Sequence, residues 1–292
     1  MRYPKWIIEK AKENKKEFNF SDNSILIRKD IKEYTTNTIC YEALCPNKGE
    51  CFKNKHATFL ILGTICTRNC KFCNVSKGKP DPVDLNEPKK IAGLIKKWKI
   101  RYAVFTSPTR DDLPDGGADQ FANTIKEIRR ISPETYIEPL IPDFKFKDDS
   151  LKKVLDAMPS VLSHNIETVK RLYPIIRPNS SYEGSLNLLR SSKKINPKIP
   201  TKSSIIIGMG EEIEEIKQTI KDLKDNNCDI IVIGQYLSPS PLHHPVKKYY
   251  TPEEFEILGE YARQIGIKSV ISMPFARSSY KAEEAYLKWL KK

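Results

Sequence analysis

The chain has 292 residues, enough for one large α/β domain or two smaller ones with a sizeable core. No stretch approaches the roughly 20 apolar residues of a bilayer span, and Met1 to Lys10 lacks the apolar centre of a secretory signal, so the expectation is a cytoplasmic or organelle-matrix protein that does not enter a membrane. The formal charge of +13, from 50 Lys and Arg against 37 Asp and Glu, fits a lysine-rich solvated surface or an acidic partner; no basic run interleaves with aromatics as a base-stacking surface does, which favours an acidic protein over nucleic acid.

Residues 1–56 read as an N-terminal extension, polar and lysine-rich to about Asp30 and without recognisable elements. From Ala57, apolar runs rich in β-branched residues alternate with amphipathic stretches. The expected strands are Thr58–Gly63, Tyr102–Thr106, Tyr136–Ile141, Val161–Ser163, Ser203–Ile207, Ile230–Gly234 and Ile267–Ile271. The expected helices are Pro88–Lys99, Ala118–Ile131, Leu151–Ala157, Tyr182–Ser192, Ile213–Asn226 and Pro252–Ile265. Pro88 and Pro252 suit first helical turns and Gly266 a helix stop. The alternation points to a parallel α/β sheet. Polar residues recur at strand C-terminal ends: Cys66, Thr106-Ser107, His164-Asn165, Gly208-Met-Gly210 and Gln235-Tyr236. A function spread over so many strand ends favours a partial (β/α)6 TIM-like barrel over an open doubly wound sheet.

Six of the seven cysteines lie between Cys40 and Cys73, in two triplets: Cys40-x4-Cys45-x5-Cys51 and Cys66-x3-Cys70-x2-Cys73. A structural metal site closes its coordination with protein ligands, whereas a reactive site keeps a position open. Two groups of three thiolates therefore suggest two [4Fe–4S] clusters, each with one iron left for a ligand other than cysteine. A zinc ribbon prefers two separated C-x2-C pairs, and a ferredoxin-type carrier needs four cysteines per cluster. Cys228 stands apart and reads as a small buried residue.

The second triplet resembles the CxxxCxxC signature of the radical S-adenosylmethionine (SAM) superfamily, including the aromatic Phe72 before the last cysteine. That resemblance implies that the open iron chelates the amino and carboxylate groups of SAM, and that reduction cleaves the sulfonium to give a 5′-deoxyadenosyl radical.

The flanks narrow the resemblance. Cys40-Tyr-Glu-Ala-Leu-Cys45-Pro-Asn-Lys-Gly-Glu-Cys51 resembles the CxxxxCxxxxxC element of lipoyl synthases, and Arg277-Ser278-Ser279-Tyr280 resembles their RSSY motif. Between them, Thr106-Ser-Pro-Thr-Arg-Asp-Asp-Leu-Pro-Asp-Gly-Gly117-Ala resembles TSxxRDDLxDGGA. Pro142-Asp-Phe, Ser163-His-Asn-Ile-Glu167-Thr-Val, Arg177-Pro to Tyr182, Thr201-Lys-Ser203 and Gln235-Tyr-Leu-Ser-Pro-Ser240 with His244-Pro-Val246 follow in family order. Ser163 and the run Ile205–Ile207 depart from the pattern. Biotin synthase-like and methylthiotransferase-like sulfur inserters place their auxiliary ligands differently and lack RSSY.

The resemblance implies a lipoyl synthase activity: two sulfur atoms inserted at C6 and C8 of a protein-bound octanoyl-lysine. It implies Cys66, Cys70 and Cys73 on the radical cluster. Cys40, Cys45, Cys51 and Ser279, with Ser278 as the alternative, would hold an auxiliary cluster that is consumed as the sulfur source. Serine is a hard ligand for a thiophilic cluster, which suits a labile iron. Alone, the two serines could equally cap a helix. Thr106, Ser107, Asn165, Glu167 and Gln235 are implied for the SAM pocket; Asn165 and Glu167 could instead cap a helix. Arg110 with Asp111-Asp112 suggests an internal ion-pair network, Gly116-Gly117 a tight turn, and His244 a loop histidine with its hydrogen bonds satisfied. The implied partners are an octanoylated, acidic lipoyl carrier protein or domain, an electron donor such as ferredoxin or flavodoxin, and a cluster-assembly carrier. The chain divides into 1–56 with the auxiliary cysteines, a radical SAM partial barrel over 57–275, and a 276–292 segment that covers the open face.

Overall fold

The computed structural model describes residues 3–291. Two helices come first, α1 (Lys5–Phe20) and α2 (Asp22–Glu33), followed by β1 (Asn37–Thr38), α3 (Ile39–Glu42) and α4 (Lys48–Lys53). Then come β2 (Thr58–Leu60), β3 (Ile65–Cys66), β4 (Ser76–Lys77), α5 (Glu87–Trp98), β5 (Tyr102–Thr106), α6 (Ala118–Ile131) and β6 (Tyr136–Leu140). The remainder is α7 (Asp148–Asp156), β7 (Leu162–Ser163), α8 (Tyr173–Ile176), α9 (Tyr182–Ile195), β8 (Thr201–Ile207), α10 (Ile213–Asp225), β9 (Ile230–Gln235), α11 (Pro252–Gln264), β10 (Ser269–Ser272) and α12 (Ala282–Leu290). No helix among the described residues is long and apolar enough to cross a membrane.

The main sheet has the order β1-β2-β5-β6-β7-β8-β9-β10, with only β1 antiparallel to its neighbour. Six βα units and a seventh parallel strand result, the partial (β/α)6 arrangement expected from the alternation. Side chains alternate across this sheet as a pleat demands. In β5 and β9, Ala103, Phe105, Ile231 and Ile233 face the outer helices. Tyr102, Val104, Ile230 and Val232 face inward, where they meet Ala282, Ala285 and Tyr286 of α12. Helix α12 thus plugs the N-terminal end of the barrel, with Ser269 Oγ donating to Ala285 O at 2.8 Å. Each fully buried Leu, Ile or Phe contributes roughly 1.5–3 kcal/mol, so the long apolar rows of β8 and β9 commit the centre of the sheet.

The N-terminal stretch, to which the sequence assigns no element, is helical. Ser21 caps α2 by accepting from Ser24 N. Helix α1 packs on α4 so closely that a Cβ on Gly49 would lie 2.0 Å from Asn14 O. Asn14 Oδ1 accepts from Glu50 N at 3.0 Å. The extension therefore braces the helix that carries Cys51.

Candidate metal centres and ligand pocket

Cys66 ends β3, and its backbone pairs with Lys77 of β4. This small ribbon sits above the barrel mouth. Thr67 N donates to Thr109 O at 3.0 Å, which ties the ribbon to the loop after β5. The Cys66 sulfur accepts from Arg68 N at 3.4 Å and Thr109 N at 3.3 Å. Such bonds tune the potential of a cluster bound to that sulfur. Arg68 pins the loop: its guanidinium meets Asp111 at 2.7 and 2.9 Å and Asp143 at 2.5 and 2.8 Å. The expected network is thus rearranged, with Asp111 pairing to Arg68 while Arg110 holds Asp112 and the carbonyls of Leu62 and Asp81. Lys71 N donates to Ile176 O at 2.8 Å, and Phe72 packs against the core beside β8 and β9. Burial pushes the Cys73 thiol up to about 12 and raises Cys70, which the nearby Arg177 opposes.

The first triplet lies on α3, the turn after it, and α4. Cys45 N donates to Cys40 O at 3.1 Å and Cys51 N to Asn47 O at 2.9 Å. A cavity of about 180 Å³ is lined by all three cysteines with Thr58, Arg277 and Ser279. Burial first, and the like charge of Cys45 second, push the Cys40 thiol up to about 12; burial with Cys45 and Cys40 raises Cys51. The three sulfurs share one space, since all three cysteines line the same cavity. Arg277 is lowered by burial and supported by Cys45 and Glu167. Ser279 Oγ accepts from Thr58 Oγ1 at 2.7 Å, whereas Ser278 Oγ donates to Asn165 Oδ1 at 2.9 Å. Only Ser279 of the two lines the cavity. Neither serine caps a helix, because α12 starts at Ala282 with Lys281 in the cap position.

Both triplets fit [4Fe–4S] clusters by donor chemistry. Among the described residues, no three His, Cys, Asp or Glu side chains converge on one metal ion. A mononuclear zinc needs such convergence, whereas a cluster takes each thiolate on a separate iron and spaces them wider.

The five expected SAM-pocket residues divide into two groups. Ser107 Oγ, beyond β5, is buried without a hydrogen-bond partner, as is Arg177 Nε. Asn165 and Glu167 follow β7; no helix begins there, and Glu167 takes φ 67° instead. Asn165 Nδ2 donates to Glu167 Oε1 at 2.9 Å. Burial raises the Glu167 carboxyl against the opposing pull of Arg177. Thr106 and Gln235 differ. Thr106 Oγ1 donates to Leu140 O at 2.8 Å. Gln235 is fully buried; its Nε2 donates toward Ile207 O, Tyr236 O and Lys248 O, and its Oε1 accepts from Tyr250 N. Its side chain bonds the protein's own backbone, where it positions the loop after β9. Gly208 makes room for it, since a Cβ there would lie 2.2 Å from Gln235 Nε2.

His244 bonds Met209 O through Nε2 at 2.8 Å, as a satisfied loop histidine does. Gly116 and Gly117 take φ 65° and 92°, the turn expected of them. Cys228 is buried against Ile230 O. Sequence reasoning missed Thr58, Arg177 and Arg277 as site residues. Arg177 and Arg277 stood at motif edges, but nothing local told that both half-buried guanidiniums face Glu167.

Residues 60–223 match the Radical SAM superfamily. The chain is 54% identical over 254 residues to a lipoyl synthase of Caldicellulosiruptor saccharolyticus, covering 87% of this chain and 89% of that one. It is 48% identical to a lipoyl synthase of Caldicellulosiruptor bescii over 97% of this chain and 95% of that one. The fold resembles the crystal structure of HydG, a maturase of the [FeFe]-hydrogenase, with a TM-score of 0.58 at 13% identity, over 91% of this chain and 65% of that one.

Proposed function

The chain belongs to the lipoyl synthase family of the radical SAM superfamily, and on that premise we propose how its residues divide the work of inserting two sulfurs into a protein-bound octanoyl group. When bound, SAM and two [4Fe–4S] clusters supply the radical chemistry and the sulfur. Cys66, Cys70 and Cys73 hold the radical cluster. Cys40, Cys45, Cys51 and Ser279 hold the auxiliary one. Ser107, Asn165 and Glu167 line the SAM pocket, with Arg177 as the cation between Glu167 and Cys70.

The observation that carries this reading is the strap Arg277–Tyr280. Arg277 lines the cysteine cavity with Cys45 and feels the charge of Glu167, Ser278 bonds Asn165, Ser279 enters the cysteine cavity, and Tyr280 OH donates to Glu50 Oε1 at 2.7 Å, one residue from Cys51. Four consecutive residues thus touch the surroundings of both triplets, and the octanoyl arm enters between them. The 1–56, 57–275 and 276–292 division belongs to the same reading. So do an acidic octanoylated carrier, a ferredoxin or flavodoxin donor, a cluster-assembly carrier, and a cytoplasmic or organelle-matrix location.

Mass spectrometry of an octanoylated carrier domain after anaerobic turnover tests the function. Two added sulfurs are expected, from protein loaded with about eight irons per chain. A product with no added sulfur, from fully loaded protein that binds the carrier, rejects it.

A further inference from the structure

Three loops form one side of the mouth beside the radical triplet: residues 69–80, 173–182 and 236–250. They are joined through their backbones. Lys71 N donates to Ile176 O at 2.8 Å, Lys71 O accepts from His244 N at 2.9 Å, and Lys247 N donates to Gly208 O at 2.8 Å. None of the three stretches contains an Asp or Glu, in a chain that has 37 of them. They carry Lys71, Lys77, Lys79, Lys247 and Lys248 on their exposed side. Lys248 pairs with Glu254, while the other four have no ion-pair partner among the described residues. An unneutralised set of ammonium groups is a local positive field, distinct from the chain's overall charge.

The same rim raises apolar side chains into solvent. Leu242 is 95% exposed and Ile175 56% exposed. Leu242 stands on an ordered turn: its N–H donates to Ser240 Oγ at 3.2 Å, and Ser240 Oγ bonds His243 Nδ1 at 2.8 Å. Isolated exposed leucines are ordinary. Two on one side of the rim, beside lysines that no carboxylate pairs, combine an apolar anchor with a charged border, the make-up of a recognition surface.

We propose that this rim, with Leu242 at its crest and Lys77, Lys79 and Lys247 around it, is the docking face for the acidic carrier domain that bears the octanoyl-lysine arm. The inference rests on the function proposed above and adds the surface by which the substrate protein is chosen. Opposite charge guides the carrier to the mouth, and Leu242 seats against an apolar spot near the base of its lysine arm.

The test is titration calorimetry of cluster-loaded protein with a folded, net-negative carrier domain octanoylated on its arm, alongside turnover of a short octanoyl-lysine peptide. K79E/K247E and L242D are each expected to weaken domain binding on the order of tenfold, more at low salt than at high salt for the charge variant. Peptide turnover and iron content stay at the parent level. K194E/K198E, the same charge change at the opposite end of the barrel, leaves domain binding unaltered. Equal weakening by both charge-reversed pairs, no binding of the domain by the parent protein, or parallel loss of peptide turnover and domain binding overturns the proposal. Failure of the parent protein to add sulfur to the peptide rejects the functional reading instead, because domain binding still reports on the rim.

Discussion

The hydroxyl of Thr58 donates to the hydroxyl oxygen of Ser279 at 2.7 Å, across 221 residues of sequence. The same threonine lines the cysteine cavity together with Cys40. One residue, at the first position of β2, thus orients Ser279 and borders the candidate cysteine ligands of the auxiliary cluster. Accepting this one bond occupies one Ser279 lone pair and leaves the other for the cavity. Partners of this kind fix ligand orientation, and their loss costs about 10–100-fold in metal affinity or activity. Thr58→Val should lower auxiliary-cluster retention by an amount in that range, read as iron per chain and by Mössbauer spectroscopy, while the radical cluster stays loaded. Thr58→Ser should restore retention. Equal loss from both clusters in Thr58→Val would show a general folding defect instead.

Separation of the two triplets predicts separable chemistry. Cys45→Ala removes a ligand from the cavity that holds Ser279, so the protein should still release 5′-deoxyadenosine from SAM but add no sulfur to an octanoyl-lysine peptide. Cys70→Ala removes a ligand beside Arg177 and should abolish both activities. Each is measured by chromatography of one reaction mixture. Loss of SAM cleavage in folded, iron-loaded Cys45→Ala would contradict the division of roles.

What the sequence reveals follows from the range of the interactions. Strand β5 and helix α6 are legible to the residue because the pleat and the helical turn are local periods; Tyr102–Thr106 and Ala118–Ile131 emerge with the expected bounds. The candidate cysteine ligands stand out because thiolate chemistry is written into short spacings. Helix α1 is not, since its inward face carries Asn14 where a period of apolar residues is sought. Gln235 reads as a ligand contact by motif, yet its amide closes backbone contacts that only the folded loop 246–250 creates. Thr58 is invisible for a related reason: a threonine opening a strand is unremarkable until the far end of the chain returns to it.

His164 makes stability depend on pH. It is 2% exposed, its Nδ1 bonds Ile141 O and its Nε2 bonds Ser185 Oγ, each at 3.0 Å. Burial first, then the positive charge of Arg177, lower its pKa from 6.5 to about 4. The sign follows from which state binds the proton: between about pH 6.5 and 4 the unfolded chain is protonated and the folded one is not. Acidification through that window therefore favours unfolding, by up to about 3 kcal/mol from this group alone. Urea titrations of cluster-free protein at pH 7.5 and pH 5 should show the loss, and His164→Gln should show a smaller drop between the two pH values, whatever its stability at pH 7.5. An identical drop in both proteins would remove His164 as the cause.

The barrel interior holds a charge pair that has no route to water. Lys202 and Glu138 are both 0% exposed and meet at 2.9 and 3.0 Å, and Tyr102 OH donates to the same carboxylate at 2.5 Å. Desolvating two ions offsets most of their attraction, so the pair adds little net stability, but breaking it leaves one buried charge uncompensated at about 3–5 kcal/mol. Lys202→Met should therefore lower the urea midpoint sharply. Combining it with Glu138→Leu and Tyr102→Phe removes every polar group of the set, and that triple variant should recover most of the lost stability. Tyr102 also lines the cavity of the first triplet, so the two variants separate two roles for the network. Recovered stability together with weakened auxiliary-cluster retention would place its role in shaping the cavity floor rather than in holding the fold. Recovery of both would leave it a structural pair, and a triple variant as unstable as Lys202→Met would show that packing volume, not charge, governs this layer.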